Sequence, residues 1–385
     1  MKSSSVYGNS NERRTKSRIA STAVFVIFAV IAGSRPSRAQ LPPVQSPPGW
    51  GQVPQGTGAC SVEKSCADLA PGMIRSALGP SPIGENALAL AAIWSSRADS
   101  TSENPHAAEW AASAFRRAGA DVVHVEKFGD KRQFENVVAE IRGRDKPQDY
   151  VLIGAAFDGS AAGPMRAAED AAALIDAVRV IHDTGNIPRR SIRLVLFATG
   201  AAGESGHDPD CAGVWAYVRA HRADLDRVAA AVALGAPERG FDGFSLEGRP
   251  DTLTAVQEAL EPLRPLGIRN FTQQVHIPTV VTPLWLEGVP TLVATATKGE
   301  DAADHRNTAN SAGLNIPSSR LRDLKRQVAI AAVATYALAD AETRIGPRLS
   351  REQVEKSIAS MQLLPKLRAS GQLVEWESAD TVASH

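Results

Sequence analysis

Apolar residues recur with two different spacings along residues 83–345, and segments of the two kinds alternate. Helical spacing of apolar residues, with Pro or Gly at the ends, predicts helices over 105–119, 169–183, 212–221 and 320–343. Short apolar runs predict buried strands over 121–126, 136–141, 150–154, 191–199, 228–234 and 290–297. Strands that alternate with helices predict an α/β fold, here a three-layer α/β/α sandwich with a mostly parallel mixed sheet.

The segments before residue 83 and after residue 345 lack this alternation of helices and strands. The run LPPVQSPPGWGQVPQG over 41–56 is rich in Pro and Gly, so residues 40–82 are predicted to form a linker. Residues 346–385 are charged and amphipathic, which predicts a C-terminal tail that is either helical or mobile. One domain is therefore expected over 83–345.

The first 39 residues have the pattern of a signal peptide. Four basic residues between Arg13 and Arg18 precede an apolar stretch over 19–33, and Ser37-Arg38-Ala39 resembles a cleavage site. The alternative is an uncleaved signal anchor, although 15 apolar residues are short for a bilayer that needs about 20. The pattern predicts an exported protein, periplasmic or secreted, with no stable membrane span after cleavage.

Charge and cysteine content limit the partners and the redox chemistry. The 385 residues contain 42 basic and 42 acidic side chains, and this zero net charge argues against nucleic acid as a partner. Export permits a disulfide between Cys60 and Cys66, and two free thiols are the alternative. Cys211 has no nucleophile pattern around it and is interpreted as structural.

Four stretches together resemble metallopeptidase family 28, a family of co-catalytic zinc exopeptidases. They are residues 136–143 (NVVAEIRG) continued by 150–155, the helix end 182–185 (HDTG), residues 188–197 (PRRSIRLVLF), and residues 287–292 (EGVPTL). The resemblance covers 83–345 and implies the zinc-exopeptidase fold. It also implies two zinc ions bridged by one carboxylate, with a second carboxylate as the general base.

The positions that this resemblance assigns to the chemistry are mostly occupied by other residue types. Ala156 stands at the position of the first metal-binding His, and Asp158, which follows it, orients a ligand in the family. An alignment without gaps places Arg166 at the bridging Asp, and a guanidinium cannot bind zinc. A further hypothesis is that the Asp158 carboxylate and the Arg166 guanidinium pair with each other.

Other residue types also occupy most positions of the remaining ligands and of the general base. The ungapped alignment places Gly200 and Ala201 at the Glu-Glu pair, and a three-residue insertion would bring in only Glu204. No carboxylate lies in residues 233–237, where a further Asp is expected, and His305 is the one match to the last His. His276 and Trp285 lie near the expected substrate loop.

Other side chains offer competing interpretations. Glu204, His207, Asp208 and His305, with Asp158, are candidates for a rebuilt metal site, against the alternative that 206–210 is a solvated loop with a turn at Asp208-Pro209. Glu169 and Asp170 are predicted to complement the dipole at a helix start. Ser205 lacks the Gly-x-Ser-x-Gly context of a serine hydrolase.

The sequence favours a catalytically inactive pseudopeptidase with a peptide-binding or scaffold role. It would have no catalytic residues and no cofactor, and its partner would be a peptide or protein. The first alternative is an active aminopeptidase or carboxypeptidase that holds zinc at the rebuilt site. The second is a structural protein of the cell envelope.

Overall fold

The computed structural model describes residues 64–95, 105–129, 133–157, 164–198, 211–234, 240–296 and 316–382. Within them the helices are α1 (Cys66–Leu78), α2 (Ile83–Ser95), α3 (Pro105–Ala118), α4 (Pro164–His182), α5 (Ala212–Ala220), α6 (Leu253–Ala259), α7 (Thr282–Leu286), α8 (Ser318–Asp340), α9 (Arg351–Ser360), α10 (Leu364–Ala369) and α11 (Gln372–Val382). The strands are β1 (Val122–Phe128), β2 (Phe134–Ile141), β3 (Lys146–Ala156), β4 (Arg190–Phe197), β5 (Val228–Ala233), β6 (Gly243–Ser245), β7 (Asn270–Thr272) and β8 (Thr291–Thr295).

The strands described form one mixed sheet in the order β1-β2-β4-β3-β5-β8-β6-β7. Strands β4, β3, β5 and β8 are parallel neighbours at its centre, whereas β1 and β2 extend one side in antiparallel pairing. On the other side β6 pairs antiparallel with β8 and parallel with β7. The predicted fold class, an α/β sandwich with a mostly parallel mixed sheet, is confirmed.

Alternate residues of the central strands belong to two separate cores. In β3, Val151, Ile153 and Ala155 pack into one hydrophobic cluster, while Tyr150 and Leu152 pack into the other. This division follows from the period of two in a strand, and it explains why the central strands read as continuous apolar runs. Each fully buried aliphatic side chain contributes roughly 1.5–3 kcal/mol.

Two helical layers cover the two faces of the sheet. The first core takes its helical side chains from α1, α2, α3, α4, α6 and α8, and the second takes them from α5, α7, α9, α10 and α11. Helix α8 is the longest described, and it is buried along most of its second half between Val328 and Ala339. Helices α4 and α8 pack against each other and against β3.

Helix α1 lies inside the segment for which composition predicts a linker. It begins after Ser65, which forms a capping box with Asp68, and it buries Leu69 and Met73 in the first core. For residues 66–78 the linker prediction is therefore wrong, because apolar side chains at helical spacing pack against α8. Cys66 is a free thiol here rather than half of a disulfide, and burial, followed by the nearby Asp340 carboxylate, raises its pKa to about 12. Cys60 lies outside the described residues.

The C-terminal segment is helical and packed. Helices α9 to α11 bury Val354, Ile358, Leu367 and Trp376 in the second core. The Trp215 indole N–H of α5 donates to Gln372 Oε1 at 2.8 Å in a buried contact. The predicted tail therefore belongs to the second helical layer.

The observed ends of several helices differ from the predicted ends by a few residues. Helix α4 begins at Pro164, five residues before the predicted start, and α3 ends before Gly119, whose φ of 99° suits glycine. No helix among the described residues combines the length and the apolar content that a bilayer crossing requires. The predicted signal peptide and residues 40–63 lie outside the described residues.

Candidate functional site at the carboxyl edge of the sheet

The carboxyl ends of four parallel strands define one edge of the sheet. Ala156, Phe197, Ala233 and Thr295 are the last residues of β3, β4, β5 and β8, and the parallel pairing brings these ends to the same side. Ligand sites of open α/β sheets form at this edge, because the connections that follow the strands start there. We call it the carboxyl edge.

Ala156 closes β3 directly beside the end of β4. It is the register partner of Phe197, and the next residue, Phe157, donates its N–H to the Phe197 carbonyl at 2.7 Å. The Phe157 ring packs edge-on against Trp94 at 5.3 Å between ring centroids. The side chain at the expected first metal position is thus a methyl group, which has no lone pair to offer a cation.

Arg166 lies in the first turn of α4, the helix that follows the β3 connection, and is half-buried. Its guanidinium interacts electrostatically with Asp170, one turn further along the same helix. Asp158, its hypothesised partner, lies outside the described residues. The position aligned with the bridging carboxylate of the family therefore carries a permanent positive charge.

Glu169 and Asp170 join α4 to α8. Glu169 is buried and accepts a bond from Arg320 Nε at 3.0 Å, and Asp170 accepts one from Gln327 Nε2 at 2.9 Å. Both lie in the second turn of α4, so the prediction that they complement the dipole at a helix start is wrong, although their role is structural. Burial raises the pKa of Asp170 to about 6, against the opposing effects of the Gln327 hydrogen bond and Arg166.

The two expected metal positions that the structure describes do not fit zinc. Zinc sites need deprotonated Cys, neutral His or carboxylate ligands, and Ala156 and Arg166 provide none of these. Among the described residues no group of three or more His, Cys, Asp or Glu side chains is arranged to hold a metal ion. The other predicted site residues lie outside the described part of the chain: Asp158, Gly200, Ala201, Glu204, His207, Asp208 and His305.

A histidine and a buried glutamate form a pair that the sequence did not reveal. Glu247 accepts two bonds from His276, one from its backbone N–H at 2.7 Å and one from Nδ1 at 2.8 Å. Glu247 has a positive φ of 48°, and its carbonyl accepts from the Trp285 indole at 2.9 Å. The hydrogen bond to Glu247 raises the pKa of His276, against a smaller effect of burial. The sequence predicts that His276 and Trp285 lie near a substrate loop, and in the structure both side chains contact Glu247.

Cys211 lies directly before α5 and is buried in the second core. Its Sγ lies 3.5 Å from the Thr279 carbonyl. This packing agrees with the structural role that the sequence predicted for it.

Comparison with known proteins identifies what the chain resembles. No protein-family model matches the sequence. Carboxypeptidase Q of Rattus norvegicus is 24% identical over 210 residues, which cover 54% of this chain and 42% of that protein. Transferrin receptor protein 1 of Gallus gallus is 32% identical over 124 residues, which cover 31% of this chain and 15% of the receptor. The chain thus spans less than half the length of these curated relatives.

A solved structure agrees with the fold. Glutaminyl cyclase of Macrostomum lignano superposes with a TM-score of 0.51 at 15% sequence identity, covering 69% of this chain and 92% of that one. The fold is that of an α/β protein of this class. By its sequence relatives the molecule is peptidase-like. Its resemblance to metallopeptidase family 28, to which carboxypeptidase Q belongs, is confirmed.

Proposed function

We propose that this is an exported pseudopeptidase that binds a peptide or protein at the carboxyl edge without two-zinc chemistry. The observation that carries the proposal is the pair of described positions at that edge. Ala156 ends β3 with a methyl group and Arg166 opens α4 with a guanidinium, where the family has metal ligands. A cation at the bridging position repels a metal ion and attracts an anionic or carbonyl-bearing ligand.

The names of the relatives agree with a binding role. One is called a carboxypeptidase and another a receptor for the protein transferrin, so this kind of sequence serves both hydrolysis and protein binding. Export rests on the basic and apolar pattern of residues 1–39. Sequencing the N-terminus of the protein recovered from the producing cell tests it, with Gln40 as the expected first residue.

Metal content and turnover test the loss of the zinc centre. We expect the purified protein to bind substoichiometric zinc and to leave aminoacyl-anilide and dipeptide substrates intact. The matched variant carries Ala156→His and Arg166→Asp, which restores two ligand types at the described positions. About two zinc ions per wild-type chain, with turnover that a chelator abolishes, would contradict the proposal.

Thermal stabilisation tests the binding role. A panel of dipeptides and longer unstructured peptides is added to the wild type and to Arg166→Ala, and the melting temperature is recorded. We expect at least one peptide class to raise the Tm of the wild type and to raise that of the variant less. If no peptide changes the Tm and no metal is bound, a structural role in the cell envelope replaces the proposal.

An active enzyme with a rebuilt metal site is the second candidate. The connections that follow β4 and β8 start at the carboxyl edge, and they carry Glu204, His207, Asp208 and His305. The candidate is one new site that draws ligands from both connections. One bound metal ion per chain, lost on His207→Ala or His305→Ala, would support this candidate over a pseudopeptidase.

A further inference from the structure

One buried asparagine joins β2 to both ends of the connection between β4 and α5. Asn136 is 1% exposed, and its Oδ1 accepts from the Ala198 N–H at 3.0 Å. Its Nδ2 donates to the Gly213 carbonyl at 2.9 Å. Ala198 is the residue after β4, and Gly213 lies in the first turn of α5. A single side chain thus holds the point where the connection leaves the sheet and the point where it returns.

The two ends of the connection also contact each other directly. The Gly213 N–H donates to the Ala198 carbonyl at 3.0 Å. A Cβ atom on Gly213 would lie 2.3 Å from the Ala198 oxygen and 2.5 Å from Asn136 Oδ1. Only glycine permits this approach, because the contacts are with backbone and with a buried amide that cannot move aside.

The same clamp extends to the neighbouring strand. Phe197, the last residue of β4, accepts the Phe157 N–H at 2.7 Å, which ties the end of β3 to the end of β4. These contacts use neutral amides only, and each buried polar atom of Asn136 has a partner. A fully satisfied buried amide specifies one arrangement, because any other leaves a buried group without a hydrogen bond.

We infer that Asn136 is a positioning residue, which fixes both ends of the β4–α5 connection at the carboxyl edge. Its amide cross-links the two ends from the sheet. Any role of the fixed connection in ligand binding rests on the proposed function, whereas the hydrogen bonds that fix its ends do not.

Ser191 of β4 offers a matched control. It is 1% exposed near the amino end of β4, where its Oγ accepts from the Gly143 N–H at 3.1 Å and donates to the Pro147 carbonyl at 2.8 Å. Ser191→Ala and Asn136→Ala each remove one accepted and one donated buried hydrogen bond. They differ in which end of β4 is released.

Amide exchange and limited proteolysis of the full chain test the inference. In Asn136→Ala we expect the Ala198 and Gly213 amides to exchange about tenfold faster or more, and cleavage within 199–212 to accelerate similarly. In Ser191→Ala both rates should stay within about twofold of the wild type, even where the Tm falls by a similar amount. Equal acceleration in the two variants would assign Asn136 a general structural role and overturn the inference.

Two further variants keep the test decisive if Asn136→Ala folds poorly. Asn136→Asp retains the acceptor for the Ala198 N–H but loses the donor to the Gly213 carbonyl. The Ala198 amide should therefore stay protected, while the released α5 end lets the Gly213 amide, which donates to the Ala198 carbonyl, exchange faster. Gly213→Ala should open the same clamp from the other side and expose both amides. Neither readout needs a ligand or a metal, so the inference can fail while the proposed function stands, and the reverse also holds.

Discussion

The two ends of β4 are held by different chemistry. At the amino end, the buried Arg190 guanidinium donates to the carbonyls of Ala341 and Glu342 at the end of α8. Asp340 in the last turn of α8 accepts from Arg144 at 2.9 Å. At the carboxyl end, by contrast, the neutral amide of Asn136 makes the tertiary contacts.

This difference separates what stabilises the fold from what can change in the site. Charged contacts at the amino end join β4 to α8 and do not depend on the residues at the carboxyl edge. The residue types at the carboxyl edge, such as Ala156, can therefore vary while the sheet keeps its register. The following predictions test this separation, from the largest expected effect to the smallest.

Replacement of Arg190 tests the amino end. Arg190→Ala leaves the last carbonyls of α8 without their buried donor, so we expect the free energy of unfolding to fall by about 3 kcal/mol. Urea denaturation of wild type and variant measures the loss. A loss below about 1 kcal/mol would show that the amino end is not the stabilising one.

Replacement of Asp170 tests the carboxyl edge through pH. Its pKa is about 6 in the folded protein, above the ordinary value of 3.8, because burial favours the neutral acid. The contribution of this group to stability is therefore highest below pH 3.8 and falls as the pH rises to about 6, by roughly 3 kcal/mol at most.

Asp170→Asn should abolish that fall and be the more stable protein at pH 7, by about 1–3 kcal/mol. Urea unfolding at pH 4, 5, 6 and 7 measures the difference between the two proteins. Asp183→Asn, at a half-exposed position at the other end of α4, is the control. A difference that does not change between pH 4 and pH 7 would contradict the prediction.

The Glu247–His276 pair lies at neither end of β4, so it provides a third, independent site for the comparison of the two ends. The bond to Glu247 raises the pKa of His276 above 6.5, so the stabilisation from the pair is fully present below pH 6.5 and is lost as the pH rises through the folded value. Glu247→Gln should lower the His276 pKa and flatten this slope. NMR titration of the His276 ring protons measures the shift, and an unchanged midpoint in the variant would refute the assignment.

Arg189 gives the smallest effect and the control for Arg190. Its guanidinium pairs with Asp145 at 3.1 Å, and both side chains are about 40% exposed. Exposed ion pairs are weak and screened by salt, so Arg189→Ala should cost between 0 and about 1 kcal/mol. Urea denaturation in low and in high salt should give this small difference at low salt only. A loss as large as that of Arg190→Ala would remove the distinction between buried and exposed charge at this end.

Local pattern was sufficient for the parts of the fold that are regular and buried. The strands β2 to β5 were predictable, because both faces of a central strand are covered and its residues read as one apolar run. Strands β6 and β7 are three residues each, too short for a periodic signal. Helix α1 follows a Pro/Gly-rich run whose composition masks its signal, although Leu69 and Met73 have helical spacing.

The site was predictable only where residue type alone decides the chemistry. An alanine or an arginine cannot bind zinc wherever it lies, so the sequence alone predicts that Ala156 and Arg166 are not zinc ligands. The roles of Glu247 and Asn136 depend on partners 29 and 77 residues away, and no local pattern encodes those pairings. A polar residue such as Asn136 beside the apolar run of β2 was the available signal, since a buried amide needs a partner.

Helices α9 to α11 also affect the order in which the molecule can fold. Trp376 and Leu367 complete a core that includes Trp215 and Tyr217 of α5, more than 140 residues earlier in the chain. A nascent chain that has not yet produced these helices covers that face of its central strands, among the helices described, only with α5 and α7. Such late closure delays stable folding during synthesis.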